Sequence, residues 1–369
     1  EWQQGVREKL EKSGVRIIHA NARFVAPRTV EGDGITVTSP NAVIDTGAHP
    51  ASPALEGLAG TPYLTTNDFF DLRTIPESLI VLGGGYVGLE LGQGCARLGA
   101  RVSVVEPGPH IMSHEDPDAT AVLHQALEDD GIAIHLNRAA KRVEYDGTFR
   151  MTLDSGEELR AAALLVATGR TPNTVDLELD KGGIEVDDRG YVRVDEHLRT
   201  TSPGVFALGD VAKQPAFTHV SWEDYRRVKD VMNGGSRTRD DRPLAYSVFT
   251  EPQLAHVGLT ATAAREKGFD TMVAHRELRD EARGIEWNLT RGFFRIVADR
   301  KTDRLLGATF VGYEAGELIH VIYAHIINGA TWHVLEESVH IHPTFAEGLP
   351  TTVRQFFAEK QKAVHDARP

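Results

Sequence analysis

The chain has 369 residues and a hydrophobic content of 41%, which predicts a globular protein of two or three domains. Its 53 acidic and 40 basic residues give a formal net charge of −13, so it lacks the basic surface that nucleic acid or an anionic membrane would require. No apolar run reaches the length of a membrane span and no signal peptide opens the chain. We therefore expect a cytoplasmic protein that binds neither membranes nor nucleic acid.

The first 75 residues contain short elements that indicate part of a domain. A stretch of helical composition ends at Ser13, Val15 to Val25 predicts a kinked strand, and Asp33-Gly34 is typical of a hairpin turn. Ala42 to Asp45 predicts a further strand, which is followed by a loop rich in Pro, Ala and Gly.

A strand, a glycine turn and a helix follow. Leu79 to Leu82 is an unbroken apolar run, typical of a parallel strand buried on both faces, and Gly83 to Gly88 satisfies the pattern G-x-G-x-x-G. Apolar residues then recur at helical spacing until Gly99, where a left-handed cap residue would end the helix. A second apolar strand, Val102 to Val105, stops at Glu106, about twenty residues past the glycines. This order predicts a dinucleotide-binding βαβ unit.

The residues of the glycine turn have separate physical roles in such a unit. Gly83 allows the tight turn, Gly85 lets backbone N–H groups approach a diphosphate, and Gly88 lets the helix and strand pack closely. Tyr86 and Val87 open the helix, whose N-terminus supplies positive potential. The alternative is a turn that is merely rich in glycine.

Glu106 stands where dinucleotide-binding units hold the adenosine ribose. Its carboxylate would accept the ribose hydroxyls and repel a 2′-phosphate, and residues 107–112 contain no Arg or Lys to attract one. We therefore expect NAD to be preferred over NADP. The alternative is a surface carboxylate that ends a strand.

The rest of the chain continues as α/β and then changes to α+β. After Glu106 the pattern predicts a helix over Asp116–Asp130 and a strand over Ile132–Leu136. Turns at Asp146-Gly147 and Ser155-Gly156 predict a small antiparallel flap, and Leu164–Ala167 predicts a last parallel strand. A short strand at Tyr191–Val194 and an apolar strand from Val205 lead to Asp210, and a helix over Thr218–Asn233 follows. From Pro243 the predicted strands are Tyr246–Phe249, Met272–Ala274, Phe293–Ala298 and Leu305–Val311. The predicted helices are Ala261–Lys267, Glu314–Asn328 and Phe345–Glu359.

His342 and Glu347 are candidates for a proton-transfer pair. Histidine titrates near neutral pH, so it can take a proton from a thiol and return it, while a carboxylate on its other ring nitrogen fixes the tautomer. Pro343 restricts the backbone of His342 and can fix the direction of the ring. The alternative is a His-Pro loop with an unrelated Glu on the next helix. His340 and His342 lack a third ligand at suitable spacing, so we expect no metal site.

The single cysteine, Cys95, excludes a disulfide or a CxxC pair within this chain. It lies on the apolar face of the helix that follows the glycine turn. We therefore expect a buried structural thiol.

Four stretches together resemble the class I pyridine nucleotide-disulfide oxidoreductases, a family of flavoproteins. They are GGGYVGLELG, ATGRTPNT, GVFALGDV and HPTFAEG, which begin at Gly83, Ala167, Gly204 and His342. FTEPQLAHVGLT, from Phe249, is similar to the opening of the family's dimerisation domain. ELGQ is similar to mercuric-reductase-like members, whereas HPTxxE is similar to lipoamide dehydrogenase and glutathione reductase.

The resemblance implies an α/β, Rossmann-type fold with two dinucleotide-binding domains and a C-terminal α+β dimerisation domain. Residues 1–75 and 186–242 would be two parts of the FAD-binding domain, residues 76–185 the NAD(P)-binding domain, and residues 243–369 the dimerisation domain. It further implies a homodimer that moves a hydride from NADH to FAD and on to a disulfide or similar small-molecule acceptor. Which acceptor is used stays open.

The resemblance also assigns cofactor contacts. Asp210 would bond to the ribityl chain of FAD, and the helix N-terminus at Thr218 and His219 would point at the flavin. Glu90 would lie beside the nicotinamide, and Gly169 belongs to the ATGRTPNT stretch at the cofactors.

The same resemblance implies that His342 is the acid/base for the substrate thiol. Glu347 would orient it, the bond before Pro343 would be cis, and the ring would reach the active site of the partner subunit.

The chain departs from the family pattern in its first part. It contains no second G-x-G-x-x-G for the ADP half of FAD and no C-x4-C redox pair, a difference of about one hundred residues. Asp45 replaces a small residue near the flavin, and the absence of a C-terminal cysteine pair disfavours mercury as the acceptor. Two hypotheses follow: part of a flavoprotein oxidoreductase, or a truncated, catalytically inactive NAD-binding and dimerisation module.

Overall fold

The computed structural model describes residues 2–366, which fall into two units. The first unit contains the residues up to His49 together with Arg170–Asp241, and the second contains Pro50–Gly169 together with the residues from Arg242 onward. The predicted domain boundaries after residues 75, 185 and 242 stay predictions, since one unit of packing can combine parts of several domains.

The helices and strands are numbered in chain order. The helices are α1 Trp2–Lys12, α2 Thr66–Phe69, α3 Tyr86–Arg97, α4 Pro117–Asp129, α5 Thr218–Met232, α6 Ala261–Glu266, α7 Ala282–Trp287, α8 Ala315–Ile327, α9 Trp332–Glu336, α10 Gly348–Val353 and α11 Gln355–Asp366. The strands are β1 Arg23–Ala26, β2 Thr29–Gly32, β3 Ile35–Thr38, β4 Ala42–Ile44, β5 Ala48–Pro50, β6 Ser78–Leu82, β7 Arg101–Glu106, β8 Ala133–Leu136, β9 Ala140–Tyr145, β10 Phe149–Leu153, β11 Glu158–Ala161, β12 Ala163–Val166, β13 Arg170–Pro172, β14 Val205–Ala207, β15 Ala245–Val248, β16 Gln253–Gly258, β17 Thr271–Glu277, β18 Phe293–Asp299 and β19 Leu305–Gly312.

The first unit combines a small antiparallel sheet with a pair of parallel strands. Strands β1, β2 and β3 pair in sequence order, and Asp33 and Gly34 form the β2–β3 turn with φ angles of 49° and 77°. Strand β14 lies parallel to β4, with Val205 beside Ala42. A shared core contains Phe24, Ile44, Val205, Ala207 and Val211. This core fixes the carboxyl end of the parallel pair β4–β14, and Asp210 follows β14 at that end.

Two strand predictions in this unit are wrong. Of the predicted strand Val15–Val25, only the part from Arg23 pairs with a neighbour, because the hairpin partner β2 is too short to reach the earlier residues. The predicted strand Tyr191–Val194 forms a single bridge from Val192 to Val186, and the Val192 N–H donates to the carbonyl of Val211 instead.

The second unit begins with a four-stranded parallel sheet in the order β12-β6-β7-β8. Helix α3 connects β6 to β7 and α4 connects β7 to β8, as the βαβ pattern predicts. Alternate residues of β6 pack into two different cores, with Leu79 and Val81 in one and Ile80 and Leu82 in the other. This burial on both faces explains the unbroken apolar run. Cys95 is buried in the core on the α3 side, where burial raises the pKa of its thiol.

The second unit also contains two antiparallel sheets. The smaller one, β11-β10-β9, is the predicted flap, and the larger one has the order β15-β16-β19-β18-β17 with α8 packed on β16 and β19. Strand β16 was not predicted, and the predicted helix Phe345–Glu359 is wrong because it forms two helices, α10 and α11. They are separated at Arg354, whose carbonyl bonds to the N–H of Phe357, three residues on rather than four. Among residues 2–366, no helix has both the length and the apolar character that crossing a bilayer requires.

Candidate functional site

The glycine turn Gly83–Gly88 joins the buried strand β6 to the start of α3. Gly83 has a φ of 113°, and a Cβ there would lie 2.6 Å from the carbonyl oxygen of Ala167. A Cβ on Gly88 would lie 2.2 Å from the carbonyl oxygen of Gly83. Both positions therefore require glycine for the turn to close.

Gly85 differs from its neighbours in the turn. A Cβ at Gly85 would meet nothing within 4 Å, and Gly85 is the exposed N-cap of α3, followed by the first helical residues Tyr86 and Val87. The space in front of a helix N-terminus is therefore open at the position where a diphosphate binds in dinucleotide folds. The residues present fit a pyridine nucleotide.

Glu106 ends β7 and contacts this turn directly. Its Oε2 accepts the N–H of Gly84 at 2.8 Å and its Oε1 accepts the N–H of Gly108 at 2.8 Å. A carboxylate has about four acceptor positions, so these two bonds leave capacity for ribose hydroxyls. Glu106 thus also braces the turn, a role that its sequence position did not reveal.

Glu90 lies one turn into α3 and is half-buried. Its Oε1 accepts the backbone N–H of Phe249 at 2.8 Å. Burial raises the pKa of the Glu90 carboxyl, and the bond from Phe249 partly offsets that rise. The structure therefore joins the predicted nicotinamide residue to the segment between β15 and β16.

Gly169 follows strand β12 at the same edge of the sheet as the glycine turn. The N–H of Ala167 donates to the carbonyl of Leu82 at 2.9 Å, so the two strand ends meet. Gly169 itself has a φ of 128° and, like Gly85, open space at its Cβ position.

The three residues predicted for the flavin lie together in the first unit. Asp210 follows β14 and pairs with Arg170, whose Nε lies 3.1 Å from its Oδ2. Thr218 and His219 form the first turn of α5, and the ring of His219 stacks on Phe217. The helix N-terminus supplies positive potential at this point.

Asp45 and Asp224 add two carboxylates beside Asp210. Asp224 accepts the N–H of Gly209 at 3.0 Å, and a Cβ on Gly209 would lie 3.4 Å from Asp45 Oδ1. Partial burial raises the pKa of the Asp45 carboxyl, and the charges of Asp210 and Asp224 raise it further. Carboxylates can accept hydrogen bonds from hydroxyl groups, and together with the positive end of a helix they fit the polyol and pyrimidine side of FAD. Arg170 and Asp224 were not anticipated.

His342 and Glu347 are in contact. His342 Nδ1 lies 2.8 Å from Glu347 Oε2, and Glu347 Oε1 accepts the N–H of Thr344 at 3.2 Å. The His342–Pro343 bond is cis, as the resemblance implied. Because Nδ1 faces the carboxylate, Nε2 is the ring nitrogen that can exchange a proton with a substrate. The His342 side chain is 71% exposed and that of Glu347 is 21% exposed. The carboxylate is therefore held within the protein, while the imidazole ring lies at the surface.

Among residues 2–366, no group of three or more His, Cys, Asp or Glu side chains is arranged to hold a metal ion.

Comparison with known proteins matches both halves of the chain to family models. Residues 1–224 match "Pyridine nucleotide-disulphide oxidoreductase" and residues 244–353 match the dimerisation domain of the same name, which indicates a homodimer. The chain is 34% identical to a dihydrolipoyl dehydrogenase of Haloferax volcanii, over 95% of this chain and 78% of that protein. It is 32% identical to a mercuric reductase of Bacillus cereus, over 96% of this chain but 57% of that protein.

A solved structure supports the same conclusion. The HOCl-induced flavoprotein disulfide reductase RclA from Escherichia coli aligns with a TM-score of 0.86 and 31% identity, over 92% of this chain and 79% of that one. The predicted α/β fold with a dimerisation domain is confirmed, and FAD and NAD(P)H are the cofactors of such proteins. This chain belongs to the pyridine nucleotide-disulphide oxidoreductase family.

Proposed function

We propose that this protein is an NADH-dependent flavoprotein oxidoreductase that reduces a disulfide or a similar small-molecule acceptor. When bound, FAD supplies the two-electron chemistry that connects NADH to the acceptor. The observation that carries the proposal is the open space at Gly85, in front of the N-terminus of α3 and within the same turn that Glu106 braces. We also propose a cytoplasmic location, where NADH is available.

The second unit binds and orients NADH. Backbone N–H groups at the N-terminus of α3 bind the diphosphate, and Glu106 accepts hydrogen bonds from the adenosine ribose hydroxyls. Glu90, held by the N–H of Phe249, lies beside the nicotinamide and limits its movement. A carboxylate at Glu106 repels a 2′-phosphate, and this supports NADH over NADPH.

The first unit holds the flavin. Asp210, fixed by Arg170, would accept a hydrogen bond from a hydroxyl of the ribityl chain. The N-terminus of α5 at Thr218 and His219 would supply positive potential beside the pyrimidine edge. These are the groups of this chain that we assign to flavin binding. The sequence contains a single G-x-G-x-x-G, which is the turn assigned to NADH.

His342 and Glu347 move the proton. When an acceptor disulfide is reduced and its S–S bond breaks, protonated His342 Nε2 gives a proton to the leaving thiolate, and it takes that proton back in the reverse direction. Glu347 holds Nδ1–H so that the neutral ring keeps this tautomer. In the homodimer this pair serves the active site of the partner subunit. The named relatives are oxidoreductases, so the comparisons give the inactive-module alternative no support.

The test is anaerobic titration of the FAD-loaded protein with NADH. We expect the yellow flavin absorbance to bleach, and then to return when the correct acceptor is added from a panel of lipoamide, glutathione disulfide, quinones and metal ions. Flavin that stays oxidised in excess NADH would contradict the proposal. A colourless protein that still binds NADH would favour the inactive module.

A further inference from the structure

Two side chains of α3 bind one short segment of the dimerisation sheet. Glu90 and Gln93 are three residues apart, so they lie on the same face of the helix. Glu90 Oε1 accepts the N–H of Phe249, while Gln93 Oε1 accepts the N–H of Glu251 at 2.8 Å. The segment Phe249–Glu251 connects β15 to β16. It is therefore attached to α3 at two points.

The amide of Gln93 is held in a single orientation. Its Nε2 donates to the carbonyl of Glu251 at 2.9 Å and to Oδ2 of Asp130 at 2.7 Å. A flipped amide would place an NH₂ group against the N–H of Glu251 and an oxygen against the Asp130 carboxylate. Gln93 is 4% exposed, so water cannot replace these bonds.

The segment between the two attachment points is itself ordered by local bonds. Thr250 is buried, and its hydroxyl donates to the carbonyl of Pro252 at 2.8 Å. Fixing both the N–H and the carbonyl of Glu251 therefore fixes the position of the Phe249 N–H two residues earlier. That N–H is the group that holds the Glu90 carboxylate.

We propose that Gln93 is a positioning residue, which acts through the Phe249–Glu251 segment to hold the Glu90 carboxylate in the orientation that hydride transfer from NADH requires. The inference rests on the proposed function, in which Glu90 lies beside the nicotinamide. Gln93 touches neither cofactor, because its amide is fully used by Glu251 and Asp130. Its effect falls on the geometry of the reaction and not on binding of the diphosphate.

The first variant is Gln93→Met, which keeps the side-chain length but removes all three bonds. We expect amide hydrogen exchange at Phe249 and Glu251 to accelerate about tenfold or more in the protein without cofactors. The Glu251 N–H loses its partner, and the segment that presents the Phe249 N–H to Glu90 is no longer fixed. In the FAD-loaded protein we expect flavin reduction by NADH to slow about tenfold to a hundredfold, while the dissociation constant of NADH changes by less than about threefold.

The matched control is Gln125→Met on α4. Gln125 is exposed and bonds to Asp129 at 3.0 Å, so it is also a glutamine that donates to an aspartate, but away from this segment. It should change neither exchange at Phe249 nor the reduction rate. A second variant, Gln93→Glu with Asp130→Asn, keeps an acceptor for the Glu251 N–H and a bond to residue 130 but loses the donor to the Glu251 carbonyl. Its reduction rate should lie between those of the native protein and Gln93→Met, within about fivefold of the native rate.

The outcomes separate the two proposals. Native protein that does not bind NADH, or that binds it without flavin reduction, overturns the proposed function, and the exchange measurement then still tests the link from Gln93 to Phe249. Native protein that works while folded Gln93→Met reduces flavin equally fast overturns the positioning role. If Gln93→Met does not fold, the test rests on the double variant. A flavin reduction rate of the double variant as low as that of a Glu90→Ala protein would contradict the inference.

Discussion

The glycine turn Gly83–Gly88 and the loop that carries His342 lie in the same unit but are built in opposite ways. The turn ends a buried strand, and backbone contacts fix its shape. In the loop, His342 is 71% exposed, and its neighbours Val339 and Ile341 are 97% and 79% exposed. In the proposed function, the nucleotide site uses groups of a single chain, whereas the proton-transfer pair is one half of a site that a second subunit completes.

The physical basis of the contrast is the kind of group that each site uses. Backbone N–H groups at a helix N-terminus are positioned by the helix itself and need no side-chain ordering. An exposed imidazole works as a selective base only when a neighbouring surface excludes water and fixes the substrate. The loop lies in the region matched to the family's dimerisation domain, residues 244–353, and in the proposed function the partner subunit supplies that neighbour.

The largest effect is expected for His342→Ala in the full-length gene product. Loss of the acid/base should slow reduction of the acceptor by about 10²–10⁴-fold, while flavin reduction by NADH stays within about twofold. Stopped-flow measurement of the two half-reactions separates them. His124→Ala is the control, because His124 is also paired with a glutamate, Glu128, but on α4. Equal losses in both half-reactions would remove the proton-transfer role.

Gly88→Ala tests whether close packing builds the turn. The added Cβ would lie 2.2 Å from the Gly83 carbonyl, and overpacking of this kind costs about 1–3 kcal/mol. We expect a lower melting temperature and NADH binding weakened about tenfold to a hundredfold. Gly94→Ala, in the same helix with open space at its Cβ, should keep full binding and gain slightly in stability. Equal melting temperatures and equal NADH affinities of the two variants would contradict the requirement for glycine at position 88.

Ile341→Asp tests whether the exposed loop is covered in the dimer. A charge placed in an apolar interface should raise the dimer dissociation constant about tenfold or more, measured by analytical ultracentrifugation. Phe70→Asp is the control, because Phe70 is similarly exposed, at 78%, but lies far from the dimerisation domain in the sequence. A native protein that sediments as a monomer would contradict the idea of a shared site.

Glu106→Arg should produce the smallest of these effects. We expect the ratio of the NADPH and NADH dissociation constants to fall about fivefold, which narrows or reverses the preference for NADH. The reason is that arginine attracts the 2′-phosphate that the carboxylate repels. Overall affinity should also fall, because the bonds to the N–H groups of Gly84 and Gly108 are lost. Glu106→Gln, which keeps an acceptor oxygen, should change the preference less. An unchanged ratio of the two dissociation constants would count against the ribose assignment.

Local patterns predicted the nucleotide unit because its strand, turn and helix are consecutive in the chain. Contacts between distant residues carried no such pattern. Arg170 and Asp210 are 40 positions apart, and Gln93 and Glu251 are 158 apart, so nothing in either neighbourhood indicated the partner. Strand β16 escaped prediction because His256 interrupts its apolar pattern. In the structure that ring is buried and bonded to Thr309 and Gly258.

Binding of NADH at the glycine turn is tested most directly by calorimetry on the native protein and on Gly85→Val. The backbone of Gly85, with φ −79° and ψ 173°, suits any residue, and a Cβ there meets nothing within 4 Å, so the variant should fold. Its melting temperature should fall by only a few degrees, because valine is a poorer N-cap than glycine. We predict saturable heat for the native protein and none for Gly85→Val, because the valine occupies the space of the diphosphate. No heat with the native protein, or equal binding by the folded variant, would contradict the site.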